Sequence, residues 1–164
     1  MAKFLLGMAI VAFTSFCGYV FAKKYRKRKQ FLSQMKTFNE RFLGEIAYYR
    51  RPIGEFAEKY LYKGEFNEFL QEFFFNLDLY SQDSQQKISF DGFEFLTQEE
   101  KNVVSDYFRM LGRGDSASQK AYFSSIKEQL GRLLTEADVA YKKYGDLYIR
   151  LGFLCGLLIL ILII

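Results

Sequence analysis

Two uncharged stretches enclose a polar middle in this chain. Phe4 to Ala22 and Leu151 to Ile164 contain no Asp, Glu, Lys or Arg, and almost all charged residues lie between them. The first stretch has 19 residues, and an α-helix of that length, at about 1.5 Å per residue, spans roughly the 30 Å hydrocarbon core of a bilayer. The pattern therefore predicts an N-terminal transmembrane helix over residues 1–22.

The second stretch has 14 residues, which is short for a membrane span. The Arg150 side chain can reach toward the headgroups, however, and this adds the apolar residues from Leu147 onward to the buried length. We therefore predict a C-terminal transmembrane helix over residues 147–164. Gly152 and Gly156 give it a small-residue pair, which is typical of membrane helices that pack closely. The first span has a matching stripe of small residues: Gly7, Val11, Thr14, Ser15 and Gly18.

Basic residues follow the first span directly. Residues 23–29 form a basic juxtamembrane segment with six positively charged side chains: Lys23, Lys24, Arg26, Lys27, Arg28 and Lys29. Only Lys3 and the amino terminus carry positive charge ahead of the span. The positive-inside rule therefore predicts that this segment faces the cytoplasm, where it contacts anionic lipids. A cleaved signal peptide ending near Ala22 is the alternative, and the charge asymmetry favours the uncleaved helix.

The polar middle has the periodicity of helices. Apolar residues recur every three or four positions from Phe31 to Tyr49, and Pro52 predicts a break just before itself. The further helical patterns are Ile53 to Leu61, Phe66 to Leu77, a stretch from a Thr97–Glu100 capping box to Leu111, and Tyr122 into the second span. We therefore predict an all-α protein in which residues 30–146 form a cytoplasmic antiparallel helical bundle between the two transmembrane helices.

One stretch of the middle departs from the helical period. Between Ile88 and Phe95, apolar and polar residues alternate around Asp91-Gly92, a dipeptide typical of tight hairpin turns. The pattern predicts a small β-hairpin there, after a polar loop over residues 81–86.

The chain lacks the side chains of most catalytic and metal sites. It has no His, and both of its cysteines lie in apolar stretches, so zinc sites and Cys/His or Ser/His nucleophile pairs are excluded. Two pairs of carboxylates, Glu99 with Glu100 and Glu136 with Asp138, point apart on a helix. No glycine-rich phosphate-binding loop is present. We therefore expect a protein that is not an enzyme and that binds no cofactor or metal.

Charge also bears on the partners of the protein. Removing Lys3 and residues 23–29 from the net charge of +4 leaves −3 for residues 30–164, which argues against a nucleic-acid partner. Residues 113–116 read RGDS, which resembles an adhesion motif, but the same residues suit a turn between two helices. An exported protein with a cleaved N-terminus would leave that string accessible, and this alternative stays open.

Short motifs stand in a fixed order along the chain. They are Glu45-Ile46-x-Tyr48, Pro52-Ile53-x-Glu55, Leu111-Gly112-x-x-Asp115-x-x-x-Gln119 and Gly152-Phe153-Leu154-x-Gly156-Leu157-Leu158. With the N-terminal span and the basic segment, they resemble the stage III sporulation protein AB family of endospore-forming bacteria over most of the chain. The chain departs from the family pattern between Ser81 and Phe95, where the family has a further helix with a tryptophan and this chain has no Trp.

The resemblance implies a location and partners. Similar proteins belong to a channel that links mother cell to forespore, and they sit in the outer forespore membrane with their soluble part facing the mother cell. That soluble part resembles the cytoplasmic domain of the platform protein of type II secretion and type IV pilus machines. The implied partners are the secretion-type ATPase stage III sporulation protein AA and other membrane proteins of the complex. A general secretion or pilus scaffold is the alternative, and assembly into a homo-oligomer stays open.

The resemblance also singles out six positions near predicted helix ends: Glu45, Tyr48, Pro52, Gly112, Asp115 and Gln119. Contact with a partner is one interpretation of these positions. A structural role is favoured, because Pro52 and Gly112 end helices, while Asp115 and Gln119 suit a cap or a turn.

Overall fold

The computed structural model describes residues 2–48, 59–76, 88–111 and 116–163. Its α-helices there are α1 (Ala2–Tyr48), α2 (Glu65–Phe75), α3 (Gln98–Met110), α4 (Ser116–Ala140) and α5 (Asp146–Ile163), and a π-helical turn, Tyr141–Gly145, joins α4 to α5. These described residues contain no strand. The predicted all-α class is confirmed, whereas the two membrane spans and the cytoplasmic side stay predictions.

Helix α1 runs for 47 residues without interruption. The single proline of the chain, Pro52, comes after it, so every backbone hydrogen bond in the helix interior can form. Helix α1 ends at Tyr48 within the described residues. Pro52 lies outside them, as does most of the helix predicted from Ile53 to Leu61.

The chain divides into two compact units. Residues 1–29 and 136–164 form one, which we call the paired-helix unit, and residues 30–135 form the other, which we call the aromatic unit. The domain limits predicted from the sequence, after residues 22, 29 and 146, stay predictions.

The core of the aromatic unit consists largely of phenylalanine rings. Phe31 packs edge-on against Phe66 with 5.3 Å between ring centroids, and Phe69 packs against Phe108 at 5.0 Å. Each edge-to-face pair contributes about 0.5–1.5 kcal/mol beyond the burial of its surface. The rings that are almost completely buried include Phe31, Phe38, Phe66, Phe69, Tyr107, Phe108 and Phe123. The high aromatic content of the chain therefore serves a packed core.

A buried asparagine joins α1 to α4 within this core. The amide nitrogen of Asn39 donates a hydrogen bond to the carbonyl oxygen of Phe123 at 3.1 Å, and the Asn39 side chain has no exposed surface. A buried polar group bonded in this way fixes one register between two helices, because any other register leaves it without a partner.

The sequence signals for α2 and α3 correspond to the observed helices. Helix α2 buries the predicted aromatic stripe, and α3 begins with a capping box in which Thr97 Oγ1 accepts from the Glu100 backbone nitrogen at 3.3 Å. The Glu100 carboxylate in turn accepts from the Thr97 backbone nitrogen at 2.8 Å. The predicted capping box is confirmed.

The predicted β-hairpin between Ile88 and Phe95 is wrong. The backbone there forms successive turns, with Phe93 N donating to Phe90 O and Leu96 N donating to Phe93 O, both at 3.1 Å. Gly92 takes a φ of 84°, so only the turn signal of the Asp91-Gly92 pair was correct. Alternation arises because the turns direct Ile88, Phe93 and Phe95 into the core. The polar loop predicted over residues 81–86 lies outside the described residues.

Candidate functional site

The paired-helix unit brings glycines of α1 and α5 together. A Cβ atom on Gly18 would lie 2.5 Å from the carbonyl oxygen of Tyr148, and a Cβ atom on Gly152 would lie 2.6 Å from the carbonyl oxygen of Thr14. No side chain fits into such gaps. The two backbones are therefore in direct contact, as small residues allow in closely packed helices.

The same line of contact continues toward the N-terminal end of α1. A Cβ atom on Gly156 would lie 2.8 Å from the Cα atom of Val11, and one on Gly7 would meet the side chain of Leu160. The Thr14 hydroxyl donates to a carbonyl oxygen one turn earlier at 3.0 Å, so it needs no partner on α5. We call this line the glycine seam; it consists of Gly7, Val11, Thr14, Gly18, Gly152, Gly156 and Leu160.

Beyond the polar end of the glycine seam, aromatic rings form the contact between the two helices. Tyr25 stacks on Tyr144 with 5.5 Å between centroids and on Tyr148 with 6.0 Å, and Phe21 also contacts Tyr148. Desolvation, with a hydrogen bond to Tyr148, raises the pKa of the Tyr25 hydroxyl. We call these four residues, Phe21, Tyr25, Tyr144 and Tyr148, the tyrosine stack; no pattern in the sequence indicates it.

An ion-pair bridge lies beyond the tyrosine stack. Asp138 accepts from Lys142 at 2.7 Å and from Lys29 at 2.6 Å, and the Lys29 ammonium also lies 5.1 Å from the centre of the Tyr141 ring. The hydrogen bonds from Lys142 and Lys29 lower the pKa of Asp138 below its ordinary value. One carboxylate near the end of α4 therefore joins α4 to α1 through Lys29 and to the π-helical turn through Lys142.

The π-helical turn Tyr141–Gly145 separates this bridge from the glycine seam. A π turn holds one residue more than an α-helical turn, which offsets the residues after it by about 100°. Gly145 is buried in the turn, and a Cβ atom there would lie 3.1 Å from the ring of Tyr141. Asp138, before the turn, and Gly152, after it, both contact α1, although the sequence gives no sign of the turn between them.

The predicted lipid-contact residues differ in their surroundings. Lys23, Lys24 and Arg26 are exposed, whereas Lys27, Arg28 and Lys29 are half-buried. Lys29 forms an ion pair with Asp138. The exposed residues are therefore the ones available to an external partner.

Glu45 is the family-pattern residue with the best-defined surroundings. Its carboxylate accepts a hydrogen bond from the Tyr60 hydroxyl at 3.0 Å and pairs with Lys59. The Arg41 guanidinium lies 4.6 Å from the centre of the Tyr60 ring and 5.3 Å from that of Tyr62. This group attaches the segment that precedes α2 to the end of α1.

Only two of the other family-pattern residues lie among the described residues. Tyr48 is the last residue of α1, and Gln119 is half-buried in the first turns of α4. Pro52, Gly112 and Asp115 lie outside the described residues.

The carboxylates considered for acid–base chemistry have separate partners. Glu100 takes part in the capping box, while Glu99 pairs with Arg132 at 3.1 Å and Asp138 forms the bridge described above. Groups of three Cys, Asp or Glu residues that could hold a metal ion do not occur in the described part of the chain.

One continuous helical stretch among the described residues is long and apolar enough to cross a membrane. It runs from Ala117 to Leu162 and comprises α4, the π-helical turn and α5. Only 11% of the most apolar 18-residue segment of this stretch is buried, whereas the core helix of a soluble protein is mostly buried. The C-terminal apolar helix is thus present by length and composition, and the N-terminal span stays a prediction.

Comparisons with known proteins give one result. Residues 3–164 match the family model described as stage III sporulation protein AB. No curated protein and no solved structure matches the chain. Because the matched residues cover essentially the whole sequence, the chain belongs to the stage III sporulation protein AB family.

Proposed function

We propose that this protein is a two-pass membrane component of the channel between mother cell and forespore, with its aromatic unit on the cytoplasmic side. The glycine seam is the observation that carries the proposal. Large apolar side chains cover the outside of the paired helices, and Phe13, Phe16 and Leu158 are each more than 60% exposed. Water would be a poor environment for that surface, whereas the acyl chains of a bilayer would cover it.

The basic residues support the proposed orientation. The stacking of Tyr25 on Tyr144 places the basic residues next to these two tyrosines at one level of the paired helices. Lys24 and Arg26 flank the first tyrosine, and Lys143 precedes the second. By the positive-inside rule, a shared basic end favours the cytoplasmic side for both connections to the aromatic unit.

Membership of the family supports a role in stage III sporulation and favours it over a general secretion scaffold. Within that role, we propose that the protein acts as a platform and carries out no chemistry of its own. The ATPase stage III sporulation protein AA would bind the aromatic unit. Helices α1 and Ala117–Leu162 each contribute residues to both units, so they would pass ATP-driven motion to the membrane without an intervening loop.

Binding to the ATPase tests the platform role. The full-length chain in lipid nanodiscs is mixed with the ATPase, with and without Mg-ATP, and the mass of the mixed species is measured by light scattering. A complex whose stability changes with nucleotide is expected. If both proteins are folded and no complex forms in either condition, the platform role is wrong, and empty nanodiscs control for adsorption.

Thiol labelling tests the topology separately. In a chain with Cys17→Ser and Cys155→Ser, a Lys63→Cys substitution places a thiol on the exposed surface of the aromatic unit. A membrane-impermeant maleimide should label it only after the mother cells are lysed. Labelling in intact protoplasts would contradict the cytoplasmic placement.

A further inference from the structure

Basic residues next to the stacked Tyr25 and Tyr144 belong to both helices at the polar end of the paired-helix unit. The stack of Tyr25 on Tyr144, with 5.5 Å between ring centroids, fixes the level of their sequence neighbours. Lys24 and Arg26 are exposed on one side of this stack, and Lys143 is exposed on the other. The Lys143 ammonium lies 5.1 Å from the centre of the Tyr144 ring, so the ring orients a cation without neutralising it.

Acidic residues neutralise only part of this positive charge. In residues 23–29 and 136–150 together, nine side chains are basic and three are acidic. Asp138 is already shared by Lys29 and Lys142. The local excess of positive charge thus rests largely on residues with exposed side chains, which are Lys23, Lys24, Arg26 and Lys143.

The apolar surface begins directly beside these cations. Phe21 and Tyr148 contact each other with 5.9 Å between ring centroids, and both belong to the apolar side of the tyrosine stack. Tyr and Trp are enriched where a membrane meets water, because one end of the side chain is apolar and the other is polar. Positive charge next to such rings meets the phosphates of lipid headgroups at the depth of the interface.

We infer that this level of the unit is a binding site for anionic phospholipid headgroups. Lys24, Arg26 and Lys143 bind the phosphate, and the tyrosine stack holds the two helices so that cations from both reach the same headgroup layer. The site therefore depends on the folded helix pair as well as on the basic segment of α1. This inference rests on the two-pass placement proposed above, since the site requires the glycine seam to lie within a bilayer.

Lipid retention by the full-length chain tests the inference. The chain is purified in a mild detergent, and native mass spectrometry compares the binding of phosphatidylglycerol with that of phosphatidylcholine. The variant carries Lys24→Gln, Arg26→Gln and Lys143→Gln. The matched control removes three basic side chains from the aromatic unit, through Lys36→Gln, Lys63→Gln and Lys120→Gln.

The wild-type chain and the control should both prefer phosphatidylglycerol. The site variant should lose this preference by about 100-fold, because each basic residue near an anionic surface contributes about a factor of five in affinity. An equal loss in the control would show a general effect of net charge and would overturn the inference, as would retention of the preference by the site variant.

A charge-retaining variant guards against misfolding. With Lys24→Arg and Lys143→Arg, the preference for phosphatidylglycerol should return to the wild-type value. The outcome also separates this inference from the proposed function. Cytoplasmic labelling of a two-pass chain without any lipid preference refutes the site alone, whereas labelling in intact protoplasts refutes the placement on which both depend.

Discussion

Gly18 and Gly152 face each other across the paired helices so closely that a Cβ atom on either would lie within 2.6 Å of a backbone oxygen on the opposite helix. Backbone atoms cannot rotate away as the end of a flexible side chain can. The contact therefore depends on the absence of a side chain at both positions, and this makes it sensitive to the smallest possible substitution.

Replacing Gly152 with alanine should separate the two helices. The added methyl group overlaps the Thr14 carbonyl oxygen, and overpacking of this kind costs about 1–3 kcal/mol. A disulfide reports the separation, because a Cβ atom on Gly7 would lie 3.9 Å from the Cβ atom of Leu160, within the usual range for disulfides. The Gly7→Cys, Leu160→Cys pair should crosslink readily, and Gly152→Ala should reduce the yield strongly.

Gly131→Ala is the matched control for that experiment. A Cβ atom at Gly131 meets nothing within 4 Å, so the crosslink should form as before. The substitution should also stabilise α4 by about 0.5–1 kcal/mol, because alanine is the better helix former. Equal crosslinking in the Gly152→Ala and Gly131→Ala chains would show that the seam tolerates a side chain.

The bridge at Asp138 predicts a dependence of stability on pH. Hydrogen bonds from Lys142 and Lys29 lower the folded-state pKa of Asp138 below the ordinary value of an aspartate. Because the pKa of Asp138 is lower in the folded state than in the unfolded state, its ionised carboxylate stabilises the fold at pH values above the unfolded-state pKa. This stabilisation is lost as the pH falls through the folded-state pKa. Thermal unfolding in nanodiscs should therefore show a lower midpoint at about pH 3 than at pH 7.

Asp138→Asn should reduce this difference between the two pH values. The amide cannot be protonated in this range and cannot form the ion pairs, so the variant should unfold earlier than the wild type at pH 7. Asp146→Asn removes an exposed carboxylate from the same unit and should retain the wild-type difference. The role of the bridge would be contradicted if both variants responded to pH alike.

The capping box of α3 gives a prediction for the aromatic unit. Thr97→Ala removes the acceptor for the Glu100 backbone nitrogen, and loss of such a cap costs about 0.5–2 kcal/mol. Thr135→Ala serves as the control, because the Thr135 hydroxyl bonds to a carbonyl oxygen within the same helix and is exposed. Denaturant unfolding followed by circular dichroism should show a lower midpoint for Thr97→Ala only.

The sequence was most informative where one residue type has one physical role. Thr97 and Glu100 stand three apart before an apolar run, and a capping box forms there because no other arrangement satisfies both backbone groups. The glycines of α1 and α5 were found in the same way, because their spacing marks one helix face. Local geometry within one helix decides the capping box and the face on which the glycines lie, but not which helix that face meets.

The sequence was least informative where a distant contact decides. The alternation from Ile88 to Phe95 predicted a hairpin, but no second strand is paired there and the core accepts the side chains from turns. The bridge from Asp138 to Lys29 joins residues far apart in the chain. This pair depends on the register of α1 against α4, which the periodicity within one helix does not predict.

The π-helical turn lies between Asp138 and the glycine seam, and it sets the register of α5 relative to α4. Deleting Lys143 should convert the turn into regular α-helix, because a π turn holds one residue more than an α turn. The residues on either side of the turn, including Asp138 and Gly152, would then keep their contacts with α1. The crosslink between Gly7→Cys and Leu160→Cys should therefore form in the deletion variant about as well as in the full chain.

Inserting one alanine after Lys143 should have the opposite effect. The α-helix beyond the insertion turns by about 100°, which moves Gly152 and Gly156 away from α1, so the crosslink should be lost. If the π turn did not set the register, deleting a residue and inserting one would disturb the contact between the helices equally. Loss of the crosslink in both variants would show that the π turn does not set the register, while loss after insertion alone would establish that it does.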